Sequence, residues 1–412
     1  MTEIPIRILM VSTEYPPMEG GVGRYTFNLT EELRRIGFEV YIACNGRGRG
    51  QFFGLSVNNP QNSDVLLKII EEVRPDIVHI QYEPGLYGLE MDPINPKNSS
   101  TNIDSFYERC KVPIVTTFHS AYTFRQWLSL IEPLELENFE LMEKAGVLFH
   151  SLGELWTRVL NYRSFHKLNT KKLRKSQRGI VFSDYMLKMV GGGEVIYHGA
   201  EPSAAVFPGT TKKEARASFC LPQEGRIALA LGFQTHTKGW DVLQKMKVPQ
   251  GWTIVVSSSK NWYIKNNFST RLNNDNIIML PNGFLGESDL STLLSASDAI
   301  ILPYKVSSAS GVMFEGLAHG LPFVASDLEF FKEFSDQGLG ITVRRNPNEF
   351  SNALVRLANH YAKYKESVDV FNKKLTWETV AMQHVRVYSE ITKKVVILEN
   401  KKKEKTLSHD NM

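Results

Sequence analysis

Short apolar segments that alternate with segments of helical periodicity run along almost the whole chain, and this alternation restricts the fold more than any other feature. Ile6 to Ser12 forms the first apolar segment, and a helical pattern from Val22 to Ile36 follows it and ends at Gly37. Parallel strands need helices that cross between them, so the alternation predicts an α/β fold with doubly wound parallel sheets. Further strands are predicted at residues 39–44, 76–81, 113–118, 146–149, 179–182, 195–197, 227–231, 253–256, 277–280, 300–302, 323–325 and 341–343. Further helices are predicted at residues 65–73, 239–246, 288–297, 311–319, 328–335, 348–363 and 377–391.

The length of the chain predicts two domains, because 412 residues exceed what a single hydrophobic core usually accommodates. The alternation pauses at residues 198–202 and resumes at residue 227. We therefore assign an N-terminal Rossmann-like domain to residues 1–205 and a C-terminal one to residues 206–375. The charged residues 399–412 are predicted to form a disordered tail.

Composition excludes several classes of protein. A net charge of +4 is too small to indicate a nucleic-acid partner, and no apolar run approaches the length of a membrane span. The three cysteines are scattered without metal-ligand spacing, which fits a reducing compartment. The N-terminus leads directly into the first predicted strand, so we expect no signal peptide and a cytoplasmic protein.

Residues 299–327 contain the loop that most favours ligand binding. An apolar strand is followed by a loop rich in serine and glycine and then by a helix that begins at Gly311. Free backbone N–H groups and the positive end of the helix dipole meet at such a point, which predicts an anion site. Glu315 lies one turn into the helix, where its carboxylate can reach ribose hydroxyls. An ordinary strand–loop–helix unit without a ligand remains the alternative.

Three other positions follow predicted strands, at the edge where open parallel sheets bind ligands. Gly20 and Gly21 open the first helix, and Lys238 follows a strand that ends near Gly232. Lysine at a helix start suits a diphosphate, because its charge adds to the backbone donors. His119 ends another strand and can reach a cleft. The alternatives are a tight glycine turn, a solvated lysine and a histidine satisfied within the core.

The standard nucleotide and metal motifs do not occur in the sequence. The glycine fingerprint of dinucleotide-binding proteins and the Walker loop are both missing, which argues against a Rossmann oxidoreductase. The sequence also has no HExxH motif, no EF-hand loop and no Asp-x-Asp pair suited to a metal on a diphosphate. We therefore predict no metal site, and the charge of a phosphate leaving group would be neutralised by lysine and N–H donors.

Taken in order, these segments resemble the retaining glycosyltransferases of GT-B fold, specifically family four of that class, also known as glycosyl transferases group 1. The resemblance covers about residues 6–391. The matching segments are Tyr15–Pro17 with Gly20–Val22, Gly37–Val40, Asp76–Ile80, Val115–His119, Val195–Glu201, Gly232 with Lys238–Gly239, Asp298–Asp327 and Trp377–Glu378. Each segment is short, but the ordered set is specific.

The resemblance implies two Rossmann-like domains facing across a cleft, with a helix at 376–392 that crosses back to the N-terminal domain. It implies transfer of a hexose from a UDP- or GDP-linked sugar, with retained anomeric configuration and without a metal or other cofactor. His119 would contact the sugar, Lys238 the diphosphate and Glu315 the ribose. The residues expected to bind the donor are Gly232, Phe233, Lys238, Ser307, Ser308, Ser310, Gly311, Val312 and Glu315. Gly20 and Gly21 would form the loop on the acceptor side.

The chain departs from the family pattern at two positions. Ser307 stands where the family has the first glutamate of an E-x7-E pair, and Phe233 replaces a basic residue of the diphosphate loop. These departures leave three alternatives to a transferase: a degenerate subunit that binds a nucleotide sugar or a partner transferase, a nucleotide-sugar epimerase, and a hydrolase.

The acceptor is predicted to be a glycan or a lipid-linked molecule. Residues 163–178 carry basic side chains and no acidic one, which suits contact with an anionic membrane at its inner face. The basic residues are Arg163, Lys167, Lys171, Lys172, Arg174, Lys175 and Arg178. A solvated helix face is the alternative.

Overall fold

Two parallel β-sheets covered by helices form the framework of the chain. The computed structural model describes residues 6–90, 99–129, 141–202, 210–260, 277–281 and 283–394. The predicted α/β fold with two Rossmann-like domains is confirmed, and so is the return of the last helix to the first domain. The predicted tail at 399–412 lies outside the described residues.

The first sheet has seven parallel strands in the order β3-β2-β1-β4-β5-β6-β7. The strands are β1 (Arg7–Val11), β2 (Glu39–Asn45), β3 (Phe52–Leu55), β4 (Ile77–Tyr82), β5 (Ile114–Phe118), β6 (Arg178–Val181) and β7 (Glu194–Val195). The helices between them are α1 (Gly21–Arg35), α2 (Asn62–Val73), α3 (Asp104–Arg109), α4 (Phe124–Ser129), α5 (Leu141–Lys175) and α6 (Asp184–Val190).

The second sheet has six parallel strands in the order β10-β9-β8-β11-β12-β13. The strands are β8 (Arg226–Phe233), β9 (Trp252–Ser259), β10 (Ile277–Met279), β11 (Ala299–Leu302), β12 (Phe323–Ser326) and β13 (Gly340–Val343). The helices are α7 (Lys212–Ser218), α8 (Trp240–Lys245), α9 (Glu287–Ser295), α10 (Gly311–Ala318), α11 (Glu329–Ser335), α12 (Pro347–Asn359), α13 (Tyr361–Phe371) and α14 (Trp377–Thr392).

Strand β11 illustrates why the apolar segments form central strands. Its four residues are all buried, and alternate side chains join different cores. Ile300 and Leu302 pack into the core that continues into the first domain, whereas Ala299 and Ile301 pack into the core on the opposite face. A strand covered on both faces requires a continuous apolar run, which is the pattern seen in the sequence.

The strand order determines where each sheet has a crevice at the carboxyl ends of its strands. In both sheets the first three strands lie side by side towards one edge of the sheet. The chain then returns to the other side of the first strand, which places β4 beside β1 and β11 beside β8. The loops after these strand pairs diverge and leave a crevice at their carboxyl ends, where ligands bind in such sheets. The loop after β8 and the loop before α10 therefore face one another.

Helix α14 packs on the first domain. Its His384 Nε2 lies 3.4 Å from the Tyr25 hydroxyl of α1, and its Tyr388 hydroxyl lies 2.7 Å from Nδ1 of His79 in β4. The two chain segments that connect the domains also contact each other, because the backbone N–H of Ala200 donates to the carbonyl oxygen of Leu375 at 2.8 Å.

The strand predicted at residues 146–149 is wrong, because these residues lie within α5. A short apolar run fits a buried helix segment as well as a strand, and periodicity alone does not separate the two. The helix predicted at 348–363 is interrupted at His360, where α12 ends and α13 begins. Among the described helices, none has both the length and the apolar character that crossing a bilayer requires.

Candidate functional site

A cavity of about 220 Å³ lies between the two domains, at the carboxyl ends of β8 and β11. Gly21 and Arg24 line it from α1, His198 lines it from the connecting segment, and the remaining lining residues belong to the second domain. Eight of the predicted site residues lie in its wall: Gly21, Gly232, Phe233, Lys238, Ser310, Gly311, Val312 and Glu315.

The beginning of helix α10 forms one side of the cavity. Ser310 is the N-cap, and its hydroxyl accepts a hydrogen bond from the backbone N–H of Met313 at 3.2 Å. This serine therefore fixes the helix start, and Gly311 and Val312 of the first turn line the cavity. The positive end of the helix dipole and the N–H groups of this turn suit an anionic ligand.

Lys238 is held beside this helix by contacts between two loops. A Cβ on Gly232 would lie 3.2 Å from Cε of Lys238, so the lysine stem packs along this glycine. The lysine Nζ lies 3.9 Å from the ring centroid of Tyr304. Gly239 has a φ of +75°, and a Cβ there would lie 1.8 Å from the carbonyl oxygen of Pro303. Only glycine fits this contact, which ties the lysine loop to the loop before α10.

Glu315 presents a buried carboxyl group to the cavity, one turn into α10. Burial is the main cause that raises its pKa to about 8, and repulsion from Glu287 adds to it while the charge of Arg24 opposes it. The carboxyl group is thus mostly protonated near neutral pH. A protonated carboxyl group can donate one hydrogen bond and accept another, which suits a ligand with hydroxyl groups.

The two glycines at the start of α1 have different surroundings. A Cβ on Gly20 would lie 1.9 Å from Cδ of Glu14, whose carboxylate also accepts a hydrogen bond from the Gly23 N–H at 2.7 Å. Burial raises the pKa of Glu14 to about 7. A Cβ on Gly21 would meet no atom within 4 Å. Gly20 therefore makes room for Glu14, whereas Gly21 leaves open space in the cavity wall.

Ser307 and Ser308 lie outside the lining of the cavity. The backbone N–H of Ser307 donates to Oε1 of Gln126 at 3.3 Å, and its hydroxyl donates to the carbonyl oxygen of Ala309 at 3.1 Å. Gln126 belongs to α4 of the first domain and also donates from Nε2 to Glu329 at 3.2 Å. Position 307 is thus in contact with the opposite domain.

His119 also lies outside the cavity lining. Its Nε2 is 2.9 Å from Oε1 of Gln81, and its ring packs against Tyr25 and Phe182 at centroid distances of 5.4 and 5.2 Å. Burial, with the nearby His198, lowers the pKa of His119 to about 3, so the ring is neutral. Its contact with a sugar stays a prediction.

His198 is a cavity residue that the sequence reasoning missed. Its Nδ1–H donates to the carbonyl oxygen of Gly199 at 2.8 Å, which leaves Nε2 as the acceptor nitrogen. A Cβ on Gly311 would lie 3.2 Å from this Nε2, so the histidine abuts the start of α10. Burial lowers the pKa of His198 to about 4. The residue was visible within the Val195–Glu201 segment, but no motif singled it out.

Arg24 is the second missed residue. Its Nε lies 2.8 Å from Oε1 of Glu287, and its guanidinium lies 4.5 Å from the ring centroid of Phe284. Arg24 comes one helical turn after Gly20 and Gly21, so the helix period could have placed it on the same face. Ala309 of the predicted serine- and glycine-rich loop also lines the cavity. Other lining residues that the sequence did not indicate are Leu231, Ser257, Ser259, Gly283, Phe284, Leu285 and Leu290.

The basic segment 163–178 is partly neutralised by acidic residues that the segment itself lacks. Lys172 is buried and pairs with Asp104, and Lys171 and Lys175 pair with Glu108 at 3.2 and 2.6 Å. Arg178 pairs with Glu390 of α14 at 2.9 Å. The contact of this segment with a membrane stays a prediction.

Metal ligands do not cluster in the part of the chain that the structure describes. Within that part, no group of three or more histidine, cysteine, aspartate or glutamate side chains is arranged to hold a metal ion.

Two facing Rossmann-like domains with a cavity between their strand ends define the GT-B class of fold. A family model described as Glycosyltransferase Family 4 matches residues 19–190, and one described as Glycosyl transferases group 1 matches residues 241–360. Together the two models match more than half of the chain. The first domain therefore matches one glycosyltransferase family model and the second domain another, on a fold of the GT-B class. No curated protein matches the sequence.

Solved structures show the same fold at low sequence identity. The sucrose-phosphate synthase of Thermosynechococcus elongatus is 16% identical, with a TM-score of 0.66 and coverage of 94% of this chain and 99% of that chain. HepE of Anabaena, solved with UDP-glucose, is 13% identical, with a TM-score of 0.63 and coverage of 93% and 100%. A Listeria monocytogenes protein named as a UDP-N-acetylglucosamine 2-epimerase is 10% identical, with a TM-score of 0.57 and coverage of 95% and 98%.

Proposed function

We propose that the protein transfers a hexose from a UDP- or GDP-linked sugar to an acceptor, with retained anomeric configuration and without a metal ion. One observation carries this proposal: a single cavity unites the start of α10, Lys238 and Glu315 with Gly21 of the opposite domain. The nucleotide would lie on the second domain and the acceptor on the first. HepE was solved with UDP-glucose, which makes UDP-glucose the first donor to test.

The cavity groups match the parts of such a donor. The first turn of α10 and the Lys238 ammonium group would stabilise the diphosphate, and Glu315 would hydrogen-bond the ribose hydroxyls. During transfer the bond between the anomeric carbon and the diphosphate oxygen breaks, and a bond to the acceptor oxygen forms. The products are the glycosylated acceptor, a nucleoside diphosphate and a proton. The Lys238 ammonium group and the N–H groups of α10 would act by stabilising the charge that develops on the diphosphate.

The acceptor is proposed to be a glycan or a lipid-linked molecule. The outer face of α5 supports the second choice, because Trp156 is 63% exposed there and Arg163 and Lys167 are exposed as well. An aromatic ring beside basic groups suits the surface of an anionic membrane.

The test of the proposal is sugar transfer by site variants. We expect Lys238→Ala and Glu315→Ala each to lower nucleoside diphosphate release on the order of 100-fold, because each removes a group aimed at the donor. Lys245→Ala is the matched control, since Lys245 is an exposed lysine of the neighbouring helix α8. Activity in EDTA should equal activity without it. Unchanged turnover in both site variants would show that the cavity is not the active site.

A degenerate binding subunit is the second candidate, and the surroundings of Ser307 favour it. No acidic group is supplied at that position, and its backbone contacts Gln126 of the opposite domain. Thermal shift with nucleotide sugars, followed by assays of diphosphate release, separates the candidates. Donor binding without release under any acceptor indicates the binding subunit, and conversion of the donor sugar without an acceptor indicates an epimerase.

A further inference from the structure

Arg24 places a positive charge in the wall of the cavity, and the proposed function gives this charge no role. It belongs to α1 of the first domain, yet its contacts are with the second domain. Its Nε pairs with Glu287 at 2.8 Å, and its Nη2 donates to the carbonyl oxygen of Leu285. Its side chain is only 19% exposed. A long charged side chain is thus held across the gap between the domains.

An aromatic pair supports the guanidinium from below. Phe284 lies under Arg24, with 4.5 Å between the guanidinium carbon and the ring centroid. Phe284 in turn stacks on Phe233, with ring centroids 6.4 Å apart and an interplanar angle of 22°. Both rings line the cavity, and Phe233 ends the strand from which the Lys238 loop departs. The stack therefore fixes the guanidinium beside the loop proposed to hold the diphosphate.

The charge of Arg24 acts on the groups of the cavity. It opposes the rise in the pKa of Glu315 and contributes to the lowered pKa of His198. Both of these side chains line the cavity together with Arg24. The guanidinium is thus close enough to affect any anion bound among these residues.

The present partner of Arg24 can be replaced without a large loss. The side chain of Glu287 is 48% exposed, and an ion pair with an exposed partner contributes little to stability. A guanidinium has five N–H donors in a planar fork, which matches two oxygens of a phosphate group better than a lysine does. A diphosphate in the cavity would offer more negative charge than one carboxylate.

We propose that Arg24 is a second cation for the diphosphate, exchanging Glu287 for non-bridging diphosphate oxygens when a nucleotide sugar binds. The inference rests on the proposed function, because it requires the cavity to hold a nucleoside diphosphate. Lys238 would act from the second domain and Arg24 from the first. The leaving group would then be held from both sides of the cleft, and its stabilisation would depend on the domains being close together.

The experiment measures the affinity of UDP and GDP by calorimetry in four proteins: wild type, Arg24→Gln, Glu287→Gln and Arg35→Gln. Arg24→Gln should weaken binding of the nucleoside diphosphate by about 10- to 100-fold, the usual effect of losing charged hydrogen bonds. Glu287→Gln should strengthen binding, because it removes the carboxylate that competes for the guanidinium. Arg35→Gln is the matched control, since Arg35 is an exposed arginine of the same helix, and it should bind as the wild type does. The free nucleoside should bind equally to all four.

The inference is decided by whether Arg24→Gln and Glu287→Gln change the affinity for the nucleoside diphosphate in opposite directions. If Arg24 and Glu287 only join the domains, both variants should weaken binding alike, and that result overturns the proposal. Equal affinity of wild type and Arg24→Gln also overturns it while leaving the proposed function intact. A wild-type protein that binds neither UDP nor GDP overturns both. A fifth protein, Arg24→Lys, provides a check on folding, because it keeps the charge and should retain part of the affinity.

Discussion

At the scale of single residues, Glu315 shows how a binding group can oppose stability. Its carboxyl group is buried, and its pKa is raised from 4.5 to about 8, chiefly by burial. In the unfolded chain the same group ionises above about pH 4.5. The folded state keeps its proton up to about pH 8, so the unfolded state gains free energy of ionisation over this interval. Glu315 thus lowers the free energy of unfolding as the pH rises.

We therefore expect Glu315→Gln to be more stable than the wild type at pH 8, by on the order of 2–4 kcal/mol at about 1.4 kcal/mol per pKa unit. The difference should shrink as the pH falls to 4.5, where the carboxyl group is protonated in both states. Chemical denaturation at several pH values measures it. Glu366→Gln, a change at an exposed glutamate, is the control and should show no such trend. A variant that is less stable than the wild type at pH 8 would contradict this account.

At the scale of elements, the sequence predicted α10 closely and α5 poorly. Ser310 caps α10, and the Gly320–Leu321–Pro322 sequence stops it, so the predicted range 311–319 nearly matches Gly311–Ala318. Local chemistry sets both ends of this helix. Helix α5 is 35 residues long, and an apolar run within it fits a strand equally well. Only the position of the run in the fold decides between the two structures.

The candidate site likewise contains residues that the sequence could predict and residues that it could not. Residues that follow strands could be predicted, because parallel strands of one sheet end at the same edge. Gly232, Lys238 and Glu315 were found by this rule. Arg24 and His198 were not, because their positions in the cavity depend on how the two domains face one another. That arrangement depends on contacts between segments far apart in the chain.

The outer face of α5 carries the prediction about membranes. At about 100° per residue, Trp156, Arg163, Lys167 and Arg174 lie on one stripe of the helix. These side chains are exposed, and no described carboxylate lies within ion-pair distance of the three basic residues. We expect the protein to sediment with anionic vesicles, and replacing the three basic residues with glutamine should lower partitioning on the order of 100-fold.

The control for this experiment replaces exposed lysines elsewhere, with Lys213, Lys245 and Lys363 changed together to glutamine. This variant has the same net charge as the test variant and should sediment like the wild type. If wild type binds neutral and anionic vesicles equally, or if both triple variants lose binding alike, α5 is not the contact surface.

At the scale of the whole molecule, buried ionisable groups should restrict stability to a limited range of pH. Among the described residues, burial lowers the pKa of five histidines: His79, His119, His198, His319 and His384. They are neutral when folded and gain protons below about pH 6.5 when unfolded, so stability falls as the pH decreases towards 4 or 3. Burial raises the pKa of three glutamates to about 7 or 8: Glu14, Glu83 and Glu315. Their contribution falls as the pH increases from 4.5 to that range.

Between about pH 4.5 and 6.5 the effects of the histidines and the glutamates on stability oppose each other. Below this interval the histidines lower stability as the pH falls, and above it the glutamates lower stability as the pH rises. We expect the thermal midpoint to be highest in this weakly acidic range and to fall on both sides. Differential scanning calorimetry from pH 4 to 8.5 measures it. A midpoint that rises steadily up to pH 8 would mean that these groups are not buried as described.

The return of α14 to the first domain has a consequence for the order in which the protein is made. The described part of residues 212–371 supplies the second sheet and its helices α7 to α13, whereas the first domain is completed by Trp377–Thr392. The first domain is therefore synthesised first but finished last. Until α14 emerges from the ribosome, the faces of Tyr25 and His79 that it covers have no partner from this helix. During synthesis, the second sheet can therefore form before the first domain receives its last helix.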